Sequence, residues 1–533
     1  MNHLEAMESY LPGDPLRGEQ TLVQMLRKRA ELTPDRVAVQ SDAGEVTYAR
    51  IWNDCRRLAG ALRLAGVGEG SRVVIISANT TDFFSAFYGT QLLGATAVPI
   101  FHGADDGRIL EMADTFEARA LVLAKEPSEP LLRGLGQRDI PWLPIGAAGR
   151  LAPTDEPSSS FPAMLQCTSG TTGEFKGVVL THANLMANIR QMIVGARFNP
   201  DDVFVSWLPV YHDMGLMMTM IPFYLGTRLV LLPISMNTRR WLRAIAEHRG
   251  TITAGPDFAY RYALRLTSDP SQYDLSSLRS AVIAAEPVRA QTVLEFERTF
   301  GLGNVVKPAY GLAEATSAVT FWEGGPVAAD PAGHVCVGRP LADVAVEIGE
   351  AGRIYVSGPN VSPSYYGHEP HGGWLYTGDI GYLDDGGRLF VIAREKNLII
   401  RAGRNFSPLE IERYASMVTG VLDAAALGID VGSFEGEDTH VVCEISKRAT
   451  REERNEILRS VIKKVHAGLG TTPRVWLVRS RIIPRTYNGK IQYSRLRQMI
   501  LDGTIEAAES AGPAGPAGPE SETVDGIPRE WSR

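Results

Sequence analysis

The 533-residue chain has few cysteines, and their spacing favours neither a metal centre nor a disulfide framework. Zinc sites and small disulfide-linked domains need cysteines close together in the sequence. Here neighbouring cysteines are separated by more than 100 residues, at Cys55, Cys167, Cys336 and Cys443. We therefore expect reduced thiols and a cytoplasmic location.

An excess of basic charge is also absent. The 54 Lys and Arg residues are outnumbered by 61 Asp and Glu, and no basic stripe is visible, which argues against a nucleic-acid partner. The first residues contain acids and no apolar core of a secretory signal. Residues 83–104 carry no charge, but their glycines, proline and polar side chains predict a buried helix followed by a buried strand, not a membrane span.

Apolar, β-branched runs alternate with helical patterns through the first half of the chain. This alternation predicts an α/β fold in which a large N-terminal domain is built from stacked, mostly parallel αβ layers. The strand candidates are residues 72–77, 97–100, 120–123, 202–208, 227–232, 251–254 and 280–284.

The pattern changes to short strands and turns from about Arg339, which predicts a β-rich subdomain. A later segment has its own strands and helices, including an amphipathic stretch at 451–467. The expected divisions are an N-terminal domain at 1–393, a hinge at 394–397, a small mobile α+β domain at 398–506 and a disordered tail at 507–533.

Residues 168–177, TSGTTGEFKG, combine flexible glycines with hydroxyl groups and one ammonium group. Backbone and side-chain donors of this kind suit a phosphate, although the same composition is typical of an ordinary loop. The loop is not a Walker A motif, because Phe175 stands where that motif requires glycine. The candidate phosphate contacts are Thr168, Ser169, Gly170, Thr171, Thr172, Gly173 and Lys176.

Four further motifs follow in order: WLPVYHDMGL at 207–216, AYGLAEAT at 309–316, YTGD at 376–379 and PRTYNGK at 484–490. With the loop, they resemble the acyl-adenylate-forming superfamily over roughly residues 20–500. Within this superfamily, the sequences of these motifs are most similar to those of fatty-acyl-AMP ligases. Such enzymes activate a carboxylic acid with ATP and commonly transfer it to the phosphopantetheine of an acyl carrier protein.

The resemblance implies roles for individual residues in binding ATP and Mg²⁺. It assigns the loop to the β- and γ-phosphates, and Thr172 and Glu314 to Mg²⁺. Tyr310 would stack on adenine, beside Ala285, Glu286 and Gly311. Asp379 and Arg394 would contact the ribose, and Lys490 would bridge the substrate carboxylate and the α-phosphate. Without the resemblance, each of these residues has an ordinary structural interpretation. Glu314 would be a solvated carboxylate at a helix end and Tyr310 a core aromatic residue. Asp379 would be a turn residue and Lys490 a surface lysine.

His212 would line the acyl entrance beside the α-phosphate, and it completes the expected catalytic set with Lys490, Glu314 and Thr172. A lone histidine in an apolar stretch is, alternatively, often a hydrogen-bonded core residue. Flexible methionines suit an alkyl chain, although core packing explains them equally well. The candidate substrate residues are His212, Asp213, Met214, Gly215, Met218, Gly255 and Phe258.

Three departures from the family pattern bear on the acyl acceptor. Asn397 replaces the usual Asp or Lys of the hinge, Ala393 replaces a glycine, and residues 317–333 are short for the insertion that disfavours CoA in many fatty-acyl-AMP ligases. An acyl-CoA synthetase therefore stays open as an alternative to loading of a separate carrier protein. An amino-acid adenylating enzyme, suggested by Asp213, and a non-enzymatic acyl-adenylate sensor or scaffold are further alternatives.

The role of Lys490 leads to the first prediction. Lys490→Ala should slow adenylation by roughly 10²-fold or more, because one cation that stabilises the transition state is lost. Pyrophosphate exchange measures this step. Exchange at the wild-type rate would remove Lys490 from the mechanism.

Overall fold

The computed structural model describes residues 1–152, 157–169, 175–235, 237–433, 436–485 and 491–512. The α-helices in these ranges are α1 (His3–Tyr10), α2 (Leu22–Leu32), α3 (Tyr48–Leu64), α4 (Thr81–Gln91), α5 (Asp106–Thr115), α6 (Glu129–Gln137), α7 (His182–Ala196), α8 (Asp213–Leu225), α9 (Thr238–His248), α10 (Asp257–Leu266), α11 (Ala290–Thr299), α12 (Pro408–Ser416), α13 (Arg451–Leu469) and α14 (Tyr493–Leu501).

The strands are β1 (Val37–Ser41), β2 (Gly44–Thr47), β3 (Arg72–Ile76), β4 (Thr96–Ile100), β5 (Ala120–Leu123), β6 (Trp142–Pro144), β7 (Pro162–Ser169), β8 (Phe175–Thr181), β9 (Val203–Ser206), β10 (Arg228–Leu231), β11 (Ile252–Gly255), β12 (Ser280–Ile283), β13 (Val306–Gly311), β14 (Ala318–Phe321), β15 (Arg339–Pro340), β16 (Ala345–Ile348), β17 (Arg353–Ser357), β18 (Leu375–Leu383), β19 (Leu389–Arg394), β20 (Ile399–Arg401), β21 (Arg404–Phe406), β22 (Val421–Ser433), β23 (Gly436–Ile445), β24 (Arg474–Arg479) and β25 (Ala507–Ala511).

Two sheets form the main body. One has the order β15-β14-β13-β12-β11-β9-β10-β1-β2, and its inner neighbours from β13 to β1 pair in parallel. The other has the order β6-β5-β3-β4-β7-β8 and is parallel except for the last pair. These layers confirm the predicted α/β class, and each of the seven strand candidates overlaps an observed strand.

The uncharged run at 83–104 folds as predicted, into most of α4 followed by β4. Both elements are buried because they lie between other layers of the main body. No helix in the described part of the chain has both the length and the apolar character needed to cross a bilayer.

A β-rich subdomain follows the main sheets. Strands β16, β17, β18 and β19 pair in sequence order, and every pair is antiparallel. This agrees with the change of sequence pattern from about Arg339. The sheet presents Asp379 on β18 directly opposite Arg394 on β19, which brings two candidate nucleotide contacts together.

The C-terminal part of the chain has its own sheet, with β22 and β24 on either side of β23. Helix α13 begins with a reciprocal cap between Thr450 and Glu453 and ends at Leu469, before the cap residue Gly470, whose positive φ of 72° suits glycine. The buried face of α13 joins apolar residues of the strands in a core separate from that of the main body.

The predicted disordered tail is wrong at its start. Residues Ala507–Ala511 form β25, which pairs antiparallel with β24 through partners such as Ala511 and Val475. The alanine-rich sequence gives no strand signal, but the edge of β24 offers backbone groups with which any such segment can pair. Residues 513–533 lie outside the described ranges.

Asn79 joins the two main sheets at the ends of their parallel strands. Its side-chain amide follows β3 and donates to the carbonyls of Leu208 and Leu232, at 2.8 and 3.0 Å. Its amide oxygen accepts from the Val210 N–H at 3.1 Å. Because Leu208 and Leu232 follow β9 and β10, this one buried side chain sets the spacing between the strand ends of both sheets.

Asn79→Ala should therefore lower the melting temperature, since three hydrogen bonds are lost and their buried partners lose solvation, at a cost of about 2–4 kcal/mol. Thermal unfolding followed by circular dichroism measures the change. Asn53→Ala is the control, because Asn53 is exposed on α3. Equal melting temperatures for the two variants would contradict the role of Asn79.

Candidate active site

The phosphate-loop candidate lies in a hairpin. Strands β7 and β8 pair antiparallel as far as Ser169 and Phe175. The Thr168 hydroxyl donates to the Lys176 carbonyl at 3.4 Å, and the Lys176 ammonium lies 5.3 Å from the centre of the Tyr365 ring. The hairpin thus fixes the base of the candidate loop. Four of the predicted phosphate contacts lie outside the described residues, namely Gly170, Thr171, Thr172 and Gly173.

Glu314 lies beside this hairpin, in a short turn that follows β13. The Tyr365 hydroxyl donates to its carboxylate at 2.7 Å, and the Ser362 N–H donates to its carbonyl at 2.8 Å. Burial, together with the negative charge of Glu314, raises the pKa of Tyr365. Tyr365 therefore remains a hydrogen-bond donor, and it contacts both Glu314 and the cation of Lys176. The sequence-predicted pair Glu314 and Lys176 is brought together through a residue that the motifs did not identify.

Tyr310, Asp379 and Arg394 form a second cluster. The Tyr310 hydroxyl donates to Asp379 Oδ2 at 2.6 Å, and Arg394 Nε lies 2.8 Å from Asp379 Oδ1. Burial and the neighbouring carboxylate raise the pKa of Tyr310 well above its usual value. Burial opposes the charge on Arg394, but Asp379 more than offsets it and raises the pKa of the guanidinium. Asp379 is thus a buried carboxylate held in place on both sides.

Gly311 continues from Tyr310 at a point where the backbone approaches another segment very closely. A Cβ at this position would lie 1.6 Å from the Ser317 carbonyl oxygen. Only glycine fits, because any side chain would force β13 and the start of β14 apart.

Glu286 follows Ala285, which has a left-handed φ of 71°. The Glu286 carboxylate accepts a hydrogen bond from the Phe258 N–H in the first turn of α10. Burial and the nearby Asp257 raise the pKa of Glu286 to about 7, although Arg261 and Arg485 oppose this shift. The side chain therefore connects the predicted base pocket to Phe258, a predicted acyl-pocket residue.

Tyr211 and His212 lie next to the hairpin strand. Gln166, on β7, donates to the Tyr211 carbonyl at 2.9 Å, and the rings of Tyr211 and His212 have centroids 4.9 Å apart. His212 is the cap residue of α8, and its carbonyl accepts from the Leu216 N–H at 2.7 Å. The chain thus places His212 between the hairpin and the helix that carries the predicted acyl-pocket residues.

Most of the predicted acyl-pocket residues lie at the starts of two helices, α8 and α10. Asp213 Oδ1 accepts from the Met214 N–H at 2.7 Å in the first turn of α8. A Cβ on Gly215 would lie 2.1 Å from the Pro209 carbonyl oxygen, so glycine lets α8 pack directly on the preceding segment. Met218 is fully buried in the main core. Gly255 ends β11 against Trp207 and Tyr260.

His102 and Phe101 are aromatic neighbours that sequence reasoning missed. They follow β4, and the Tyr211 ring lies 6.0 Å from His102 and 5.9 Å from Phe101, measured between centroids. Burial and the charge of Lys125 lower the pKa of His102, which favours its neutral form. Only a fold that juxtaposes β4 and the segment after β9 could identify these contacts, because no local motif marks residues 101–102.

The predicted hinge begins at the end of β19, where a short 3₁₀ turn spans Glu395–Asn397. Glu395 receives two hydrogen bonds from Arg353, at 2.9 and 2.8 Å, and one from Tyr376. Lys490 lies outside the described residues. The residues at either side of its segment, Arg485 and Ile491, form an antiparallel bridge.

Comparison with known proteins places this geometry in a family. Residues 26–366 match the family model described as AMP-binding enzyme. The chain is 30% identical over 588 residues to a protein named as fatty-acid–CoA ligase fadD21 from Mycobacterium leprae, covering 91% of this chain and 99% of the relative. It is 28% identical over 580 residues to the medium-chain-fatty-acid–acyl-carrier-protein ligase JamA of Moorena producens, covering 92% and 96%.

A solved structure from a study of fatty acyl-adenylate ligases from E. coli and L. pneumophila superimposes with a TM-score of 0.80 at 27% identity. The alignment covers 91% of this chain and 98% of that one. Both the extended family match and the shared fold lead to one conclusion. The chain belongs to the AMP-binding enzyme family.

Proposed function

We propose that this protein is an ATP-dependent ligase that activates a medium- or long-chain fatty acid as acyl-AMP. A carboxylate oxygen attacks the α-phosphorus of ATP, and the bond to pyrophosphate breaks. The thiol of a carrier-protein phosphopantetheine then attacks the acyl carbon, releasing AMP and leaving a thioester. The observation that carries the proposal is that Lys176 and Glu314 both contact Tyr365. In addition, Asp379 is held between Tyr310 and Arg394.

The Tyr310 cluster supports nucleotide binding. The buried carboxylate of Asp379 offers acceptor atoms, which suit the paired hydroxyls of a ribose. Tyr310 and Arg394 fix the carboxylate from two sides, so little reorganisation is needed when a ligand binds. We assign Tyr310 and Gly311, with Ala285 and Glu286, to the base, and Asp379 and Arg394 to the ribose.

The donor atoms also fit Mg²⁺. Among the described residues, no group of three or more His, Cys, Asp or Glu side chains is arranged to hold a metal. Mg²⁺ does not need such a group, since it usually keeps several waters and binds one or two carboxylates plus substrate phosphates. Glu314 supplies the carboxylate oxygen, and Thr172 is assigned the hydroxyl. When bound, the ion would neutralise charge that develops on the phosphate oxygens.

Two lysines are assigned to bring the anionic substrate carboxylate and the phosphates of ATP together. Lys176 and the donors of residues 168–173 are assigned to the β- and γ-phosphates, and Lys490 to the substrate carboxylate and the α-phosphate. His212 is assigned to the acyl entrance. Asp213 Oδ1 accepts a hydrogen bond within the first turn of α8, and the similarity of the HDMGL segment to fatty-acyl-AMP ligases favours a fatty acid over an amino acid.

Two acceptors have specific support. The name of JamA supports a separate acyl carrier protein. The name of fadD21 and the short segment at 317–333, which begins with strand β14 and reaches a turn at Asp330–His334, favour CoA as the second candidate. Both carry a phosphopantetheine thiol, so the first reaction is the same for either acceptor.

The nucleotide assignment predicts unequal losses for Asp379 and Tyr310. Asp379→Ala should lower kcat/KM for ATP by about 30- to 100-fold, because hydrogen bonds to a charged acceptor are lost. Tyr310→Phe keeps the ring and the carboxylate, and should cost only about three- to tenfold. Pyrophosphate release at varied ATP concentration measures both values. Equal losses would indicate that the pair has only a shared structural role.

The acceptor assignment predicts acyl-carrier protein as the main product. The protein is incubated with a panel of fatty acids, ATP and Mg²⁺, with either CoA or a separate carrier protein, and products are identified by mass spectrometry. Carrier protein without phosphopantetheine is the control. Rapid acyl-CoA formation without acylation of the carrier protein would overturn the preferred acceptor and establish the second candidate.

A further inference from the structure

Asp423 lies at the start of β22 and contacts three arginines. Its Oδ1 lies 3.1 Å from Arg261 and 3.5 Å from Arg289, and its Oδ2 pairs with Arg485. Arg261 is on α10 and Arg289 precedes α11, so both belong to the main body. Asp423 and Arg485 belong to the C-terminal part. We call these four residues the Asp423 cluster.

Both main-body arginines also contact Asp257, one through its side chain and the other through its backbone. Arg261 donates to the buried carboxylate of Asp257 at 2.7 Å, and the Arg289 backbone N–H donates to the same carboxylate at 3.0 Å. Asp257 thus fixes the Arg261 side chain and the backbone at Arg289, and both guanidinium groups contact Asp423 of the C-terminal part. Burial alone would raise the pKa of Asp423, but the three arginines outweigh it and lower the pKa, so the carboxylate stays ionised.

Asp423 is nearly buried, with a side chain that is 12% exposed, and each arginine partner is 21% exposed. Removing the carboxylate would leave three guanidinium groups close together with little water to screen them. Breaking a buried ion pair in this way costs far more than the net stability that the intact pair contributes. The contact between the two parts of the protein should therefore be sensitive to the charge of this one residue.

A second contact lies beside the cluster. Arg481 donates to the Tyr262 hydroxyl on α10 at 2.6 Å. Glu444, on β23, accepts from the backbone N–H groups of Arg481 and Ile483 at 2.8 and 3.1 Å. The segment 481–485 is thus fixed to its own sheet by Glu444 and to α10 through Arg481 and the Asp423 cluster. In the sequence, Lys490 follows Arg485 by five residues.

We propose that Asp423 is a positioning residue for acyl-AMP formation: by joining Arg485 to Arg261 and Arg289, it holds the segment before Lys490 against α10 and α11. The inference rests on the proposed adenylating function and adds a residue that none of the motifs contains. In the second step, the acyl group is transferred from acyl-AMP to a thiol. This step does not bring a second anion to the α-phosphate, so it does not need the Asp423 contact.

The test uses Asp423→Asn in the full chain, because asparagine keeps the size and removes the charge. Adenylation is measured as pyrophosphate release with fatty acid, ATP and Mg²⁺. Transfer is measured separately with synthetic acyl-AMP and pantetheine. The kcat of adenylation should fall at least about tenfold, while the KM values for ATP and acid stay within about twofold of the wild-type values. The rate of transfer should be unchanged.

Asp430→Asn is the matched control, because Asp430 is an exposed aspartate on the same strand. It should leave both steps at wild-type rates. Equal losses of adenylation and transfer in Asp423→Asn would overturn the inference in favour of a general structural role. Wild-type adenylation in that variant would also overturn it.

Arg289→Gln provides a second variant, which changes the main-body side of the cluster and leaves the C-terminal part intact. It should reduce the rate of adenylation and leave the rate of transfer unchanged. The double variant with Asp423→Asn should show a smaller fold-loss of adenylation than the product of the two single fold-losses. If Asp423→Asn does not fold, wild-type adenylation by Arg289→Gln decides against the proposal. Failure of the wild-type protein to release pyrophosphate with any acid would refute the proposed function itself, which separates the two outcomes.

Discussion

The hydrogen bond from Tyr365 to Glu314 joins parts of the chain that are remote in sequence. Glu314 lies in the turn after β13, and Tyr365 forms an isolated bridge with Val178 on β8. The ammonium of Lys176 lies over the same tyrosine ring. One phenol thus holds a carboxylate and a cation at a fixed separation before any substrate binds. A preorganised cation such as Lys176 stabilises a developing anion without reorganisation during the reaction.

The two main sheets supply the frame for this contact. Asn79 connects the strand ends of one sheet to those of the other, and Gln166 connects β7 to Tyr211. Candidate site residues therefore follow the carboxyl ends of several parallel strands, where open α/β sheets generally bind ligands. The rigid core behind them includes Met218, so the packing of α8 and the position of His212 are coupled.

The sequence predicts the layers well because strongly apolar, β-branched runs have few other places to fold than a buried parallel sheet. The motif order also identifies the family. Tyr365, His102 and Asp423 could not be found in this way, since each acts through partners at least 51 residues away that only the tertiary fold brings near. The strand Ala507–Ala511 was missed for a different reason: it pairs through its backbone, and its side chains carry no strand preference.

We propose that this chain joins a fatty acid to AMP before any thiol takes part. Fatty-acid-dependent exchange of labelled pyrophosphate into ATP, measured with no CoA and no carrier protein present, tests that claim most directly. We expect exchange that requires the acid and Mg²⁺ and that saturates with both substrates. Absence of exchange across a panel of medium- and long-chain acids, with folded wild-type protein, would contradict it.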